Sequence, residues 1–220
     1  MSFKNIRLKS CSDMTALVRE IGFLPLFNVG IKDFSVEEMT AGQWWTGLKD
    51  DPWGWREEAA NAGEIIYGKI FSKRAGFVSR EWFKKLANYR RDGYDFDSRW
   101  EEGFASVKCR EIMDLVTAEG KIMTSDIKKK VGKQGFEGAL ALLEMQTYLV
   151  ISGFDRKKNR FQQPYGWSIA VMQTPEDAFG CETATGAYSE KPENSLSDIV
   201  KHLKMLLPNA SEESILSIIR

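Results

Sequence analysis

Apolar positions recur at helical or strand spacing over short stretches, and side-chain caps and glycines divide these stretches into elements. Ser12 and Asp13 open a helix that places Leu17, Val18 and Ile21 on one side and stops at Gly22. Phe23–Val29 is an apolar connector containing Pro25. Ser35 and Glu38 have the spacing of a capping box, in which a hydroxyl caps the helix and a carboxylate three residues on reaches back. That helix carries Met39 and leads to Trp44 and Trp45. Asp51 and Pro52 start a third helix, through Trp53, Trp55, Glu58 and Ala59 to Gly63. Residues 64–71 and 75–78 read as two strands joined by a turn at Ser72, Lys73 and Arg74. Ser79 caps a fourth helix through Tyr89, with Phe83, Leu86 and Ala87 available for packing. Residues 88–97 read as a polar, aromatic connector in which Arg90 and Arg91 pair with Asp92, Asp95 and Asp97.

The second half is patterned more sharply. A helix over 104–119 places Ile112, Leu115, Val116 and Glu119 at helical spacing, and Lys121–Met123 suits a short strand. Thr124 or Ser125 caps a helix through Val131, ended by Gly132. The next helix, Phe136–Leu143, buries Phe136, Leu140 and Leu143 and turns Glu137, Ala141 and Glu144 outward. Tyr148–Phe154 alternates as a strand, Asp155–Gln163 is a turn, and Tyr165–Met172 is the returning strand.

Helix, strand, helix, helix, strand, wing, strand is the order of a winged helix, expected over 104–173. Three helices and a hairpin in the first half suggest the same order once more. The expected fold class is therefore α+β and mainly helical, with tandem winged-helix modules carrying short β-hairpin wings. Residues 1–103 form an N-terminal helical region with a hairpin, a candidate first winged helix, and 104–180 form the second module. Thr174 and Pro175 begin a further helical turn. Residues 181–220 comprise a linker or long loop over 181–197, then amphipathic segments Ser197–Leu207 and Ser211–Arg220. Their apolar positions (Ile199, Leu203, Leu206, Ile215, Ile218) suit packing on the body or pairing with a second copy as a homo-oligomer.

Charge narrows the partners. Lysine and arginine total 31, aspartate and glutamate 31, so any electrostatic binding comes from a local patch. No apolar run is long enough to span a bilayer and the first residues lack a signal-type apolar core, which makes the cytoplasm the expected compartment. Cys11, Cys109 and Cys181 form no paired spacing, and His202 is the one histidine. No metal site, histidine triad, phosphate-cradling glycine loop or cofactor is implied, and no enzyme motif stands out. Six of seven tryptophans fall between Trp44 and Trp100, which suits an aromatic core or a platform for stacking bases.

A winged helix meets double-stranded DNA through its third helix and its wing. The wing tip carries Arg156, Lys157, Lys158 and Arg160, cations that suit phosphates. Lys128, Lys129, Lys130 and Lys133 lie beside the third helix and extend the face, while Lys73 and Arg74 mark the first hairpin's turn. Acidic groups on the third helix argue for a grip on backbone without base reading. They also leave open a protein-interaction module using that helix and the C-terminal segments.

Several motifs carry a family resemblance: Trp53-Gly-Trp-Arg-Glu57, Tyr67-Gly-Lys-Ile-Phe71, Ala75-Gly-Phe77 and the run Asn88–Asp97. With them go Gln146–Ile151, Pro164-Tyr-Gly-Trp167 and Thr174-Pro-Glu176. Over residues 12–180 the chain resembles the bacterial AlkZ-related winged-helix proteins. The resemblance implies tandem winged helices and kinship with DNA glycosylases that excise alkylated or crosslinked bases. Catalytic members carry Gln-x-Gln or Gln-x-Asp soon after the first helix, where the polar pair positions a water. The matching segment here is Gly22–Phe27, which puts Pro25 and Phe27 at the two polar positions, and neither can orient or deprotonate water. Gln43 and Asn28 are nearby polar groups that no spacing recommends. The resemblance thus implies a DNA-binding relative without the dyad; the alternative is an active glycosylase that uses other groups.

Overall fold

A computed structural model describes residues 3–220. A short 3-10 turn (Phe3–Asn5) precedes α1 (Cys11–Ile21), whose cap is Ser10 rather than Ser12: its hydroxyl accepts the Asp13 N–H. Part of the apolar connector is strand β1 (Phe23–Pro25), at the sheet edge where a proline is tolerated. The single-turn α2 (Val36–Met39) has the expected Ser35 cap, but Glu38 receives the N–H groups of Asp33 and Phe34. Asp51 caps α3 (Pro52–Ala62) and Gly63 ends it in the left-handed region. Strands β2 (Ile65–Phe71) and β3 (Arg74–Ser79) form the first hairpin, followed by α4 (Arg80–Arg91) and α5 (Phe96–Glu101).

The connector expected over 88–97 is therefore partly helical, and its arginines face elsewhere. Arg91 donates to Glu176 at 2.6 Å, the Thr147 carbonyl at 2.7 Å and the Tyr188 hydroxyl at 2.9 Å. Arg90 donates to the carbonyls of Ile70 and Ile219. Neither pairs with Asp92, Asp95 or Asp97: at the end of α4 both guanidiniums are directed into the protein, where distant carbonyls need donors.

The second half runs α6 (Val107–Glu119), β4 (Ile122–Met123), α7 (Thr124–Val131), α8 (Phe136–Met145), β5 (Val150–Lys158) and β6 (Pro164–Gln173). Met123 occupies the N-cap of α7 without a side-chain bond, so neither Thr124 nor Ser125 caps it. Of the three residues expected outward on α8, only Glu137 is exposed; Ala141 and Glu144 are buried. Glu144 stands four residues after Leu140 and eight after Phe136, on the same helical stripe.

All six strands join one antiparallel sheet in the order β1-β3-β2-β5-β6-β4. The hairpins meet at β2 and β5 through a single paired rung, Tyr67 with Ile151. Side chains reinforce this joint. The Arg56 guanidinium lies between two rings, 3.8 Å from the Trp53 centroid and 4.4 Å from that of Phe154. Asn61 Oδ1 accepts the Phe154 N–H at 2.8 Å, close to Gly153, where a Cβ would fall 2.5 Å from that oxygen.

The remainder folds back over this body. After α9 (Pro175–Phe179), the segment expected as a linker contains α10 (Glu182–Thr185) and the start of α11 (Pro192–Leu206), and α12 (Glu212–Ile219) follows. Helix α11 packs on α4, burying Ile199 and Leu203, and Asn88 donates to Ser195 Oγ at 2.9 Å. Ile215 and Ile218 of α12 are buried as well. The stripes that suited pairing with a second copy therefore face the protein's own core. Among the described residues no helix is long and apolar enough to cross a membrane.

Candidate nucleic-acid interface

The second hairpin runs from the packed core into solvent. Strand β5 changes from buried at Val150, Ile151 and Gly153 to exposed from Asp155 to Lys158. The basic segment thus lies mostly on a strand, opposite Pro164 and Tyr165, and the turn proper is 159–163. Asn159 orders that turn: its side-chain oxygen accepts the N–H groups of Phe161 and Gln163 at 2.8 and 3.1 Å. Arg156, Lys157, Lys158 and Arg160 are all exposed, and none forms an ion pair among the described residues.

Aromatic rings share this hairpin. Phe161 and Tyr165 are exposed, and Trp167 is 91 % exposed, the position least covered among the exposed large apolar residues. The Arg160 guanidinium sits 4.7 Å from the Phe161 ring centroid. Uncovered rings on a basic hairpin offer stacking faces beside phosphate-binding charges. Sequence reasoning singled out the cations and missed the rings, because apolar residues on an alternating strand are assigned to the core by default. The signal was available: Phe161, Tyr165 and Trp167 lie at or just beyond a turn full of charge.

The other expected cations divide. Lys128 is held by Glu137 and Lys130 by Glu119, each at 2.6 Å, so both are engaged within the protein. Lys129 and Lys133 are exposed and form no ion pair among the described residues. Arg74 donates to the Asn28 carbonyl at 2.7 Å, and the Lys73 N–H approaches Met145 Sδ at 3.1 Å. Lys73 therefore adjoins the last residue of α8 and Lys128 its second, separated by about 12 Å along the helix at 1.5 Å per residue. The exposed face of α8 presents Glu137, Gly138 and Leu142, with no side chain suited to a base edge except as an acceptor.

The two positions matched to the polar dyad are apolar in surroundings as well as identity. Pro25 is buried in β1. Phe27 lies 5.2 Å from the Trp44 ring and 6.4 Å from Trp53, with Trp45 beside both tryptophans. Asp51 shapes the loop that presents Trp45: its carboxylate accepts the N–H groups of Trp45, Gly47 and Trp53. Burial would raise the Asp51 carboxyl, but these backbone donors outweigh it and hold the group below the usual carboxylate range. The tryptophan-rich region thus mixes both expectations, with Trp55 wholly in the core and Trp45 68 % exposed.

A protein-family model described as AlkZ related matches residues 8–220. No curated protein and no solved structure matches the chain.

Proposed function

From the premise that the chain belongs to the AlkZ-related family, we propose that it is a DNA-repair-related protein that binds duplex DNA without carrying the family's water-positioning dyad. The observation that carries this reading is the second hairpin, where four cations without acidic partners stand beside three exposed rings. Lys128 and Lys130 are neutralised within the protein, whereas the hairpin gathers four cations without acidic partners, a local charge that favours an external anion. The order α6-β4-α7-α8-β5-β6 suits a winged helix with this hairpin as its wing, and α1 to β3 suits a first, less regular copy. The acidic and apolar exposed face of α8 favours a grip on phosphates over base reading. The surroundings of Pro25 and Phe27 support the absence of the dyad, since neither position offers a group that orients water.

The test is fluorescence anisotropy with labelled duplex DNA over a series of salt concentrations. Each neutralised phosphate contributes about 0.9 to the slope of log affinity against log salt, so four wing contacts contribute up to about 3.6. Replacing Arg156, Lys157, Lys158 and Arg160 together by alanine is expected to weaken binding and flatten the slope. Unchanged affinity and slope would remove the hairpin from the interface.

A further inference from the structure

The bulge in β2 opens a second site at the joint between the hairpins. The register of β2 against β3 shifts between Gly68 and Phe71, and the Lys69 N–H, released from the ladder, donates to Glu144 Oε2 at 2.8 Å. Gly68 permits the approach, for a Cβ there would lie 3.3 Å from the same oxygen. Glu144 is 2 % exposed, and its other oxygen has no donor among the described residues. It lines a half-enclosed cavity of about 290 Å³. Ser125, on α7, lines the same cavity, and its Oγ is buried without a partner among the described residues. Phe136, Leu140, Ile151 and Met172 supply apolar walls, and Lys69 and the Lys128–Glu137 ion pair also line it.

Ser125 Oγ has lost its water without gaining a partner, and beside it the second oxygen of Glu144 has no protein donor among the described residues, a pairing a fold rarely leaves on the walls of one cavity. We propose that this cavity binds a flat, amino-substituted heterocycle of nucleobase size carrying a phosphate. An N–H of the ring's edge meets the free oxygen of Glu144, and Ser125 Oγ donates to a ring nitrogen or carbonyl. The apolar walls cover the ring faces, and the Lys69 ammonium suits the phosphate. The volume lies just below the usual range of ligand pockets, which suits a ligand no larger than one nucleotide. The site stands on this cavity alone and does not depend on the hairpin as a DNA contact.

Calorimetric titration of the full chain at pH 8 with AMP, CMP, GMP and ribose 5-phosphate tests it. At least one of the three nucleotides is expected to bind, with ribose 5-phosphate about tenfold weaker or worse, because it lacks the ring. Glu144→Gln and Ser125→Ala are each expected to weaken that binding about tenfold, the scale of one hydrogen bond to a charged or buried group. Both substitutions are small, and an unchanged near-ultraviolet circular dichroism spectrum verifies that each variant is folded. Three outcomes would overturn the proposal: no nucleotide binding up to about 10 mM, equal binding of ribose 5-phosphate, or full affinity in both folded variants.

Discussion

Glu144 offers a quantitative test of the buried joint through stability alone. Burial pushes its carboxyl up to about 7 from an ordinary 4.5, against the opposing pull of the Lys69 N–H and ammonium. The folded protein then binds this proton more tightly than the unfolded chain does. Stability from this group is therefore fully present below about pH 4.5, declines as pH rises, and is lost above about pH 7. At about 1.4 kcal/mol per pH unit over a window of about 2.5, ionising Glu144 costs on the order of 3 kcal/mol. Glu144→Gln keeps an oxygen for the Lys69 N–H and removes the titration. Urea unfolding followed by tryptophan fluorescence, from pH 5 to pH 8.5, reads the difference between the two proteins. They are expected to coincide near pH 5, with the variant pulling ahead by about 3 kcal/mol at pH 8.5, roughly 6–12 °C in Tm for a chain of this size. Parallel pH profiles would refute the reasoning, because every other titrating group is common to both chains.

Three further outcomes follow from particular contacts. Trp167→Ala should leave Tm unchanged, since the ring is 91 % exposed, yet weaken DNA binding by about 1 kcal/mol, the lower end of one base-stacking contact, in the same anisotropy titration; unaltered affinity would rule out stacking there. In the first hairpin's turn both Ser72 (φ +48°) and Lys73 (φ +67°) are left-handed, the conformation that Asn-Gly adopts most readily. Replacing the pair with Asn-Gly should raise the urea midpoint by about 1 kcal/mol equivalent at constant m-value, and a lower midpoint would contradict this reading. Arg91→Ala removes a buried donor from Glu176, Thr147 and Tyr188 at once and should cost about 3 kcal/mol, whereas a loss near zero would mean that water replaces it freely.

Elements announced by a side-chain cap were legible in the sequence. Asp51, Ser79 and Thr174 each begin a helix where their oxygens and the following residues say so. A missing cap did not hide every helix: α7 and α8 were expected where they lie, although Met123, not Thr124 or Ser125, precedes α7, whereas α11, which begins at Pro192 without a side-chain cap, was expected only from Ser197. Asp95 does cap α5 through the Ser98 N–H at 2.7 Å, but its polar neighbourhood resembled a loop. Arg91 finds Glu176, 85 residues away, and no local pattern can name a partner at that distance. Glu144 is the instructive case at the candidate sites. Its spacing from Phe136 and Leu140 already placed it on the inner stripe, and the expectation that a carboxylate seeks water overrode the geometry. The exposure of the wing cations was legible because charge at a turn is local information. The exposure of Trp167 carried the same local signal, a neighbouring turn full of charge, and the default assignment of apolar strand residues to the core overrode it.

The single rung between Tyr67 and Ile151 also governs how the molecule can be dissected. A fragment beginning at residue 104 would uncover β5 as a sheet edge, with Val150 and Ile151 newly open to water and the Phe154 N–H deprived of Asn61. Such an edge templates pairing with other chains, so the isolated half would self-associate. Supplying residues 3–103 in trans would restore the rung, the Arg56 sandwich and the Asn61 bond together. The joint that is weakest by ladder count is thus the natural place for the protein to be split and reassembled.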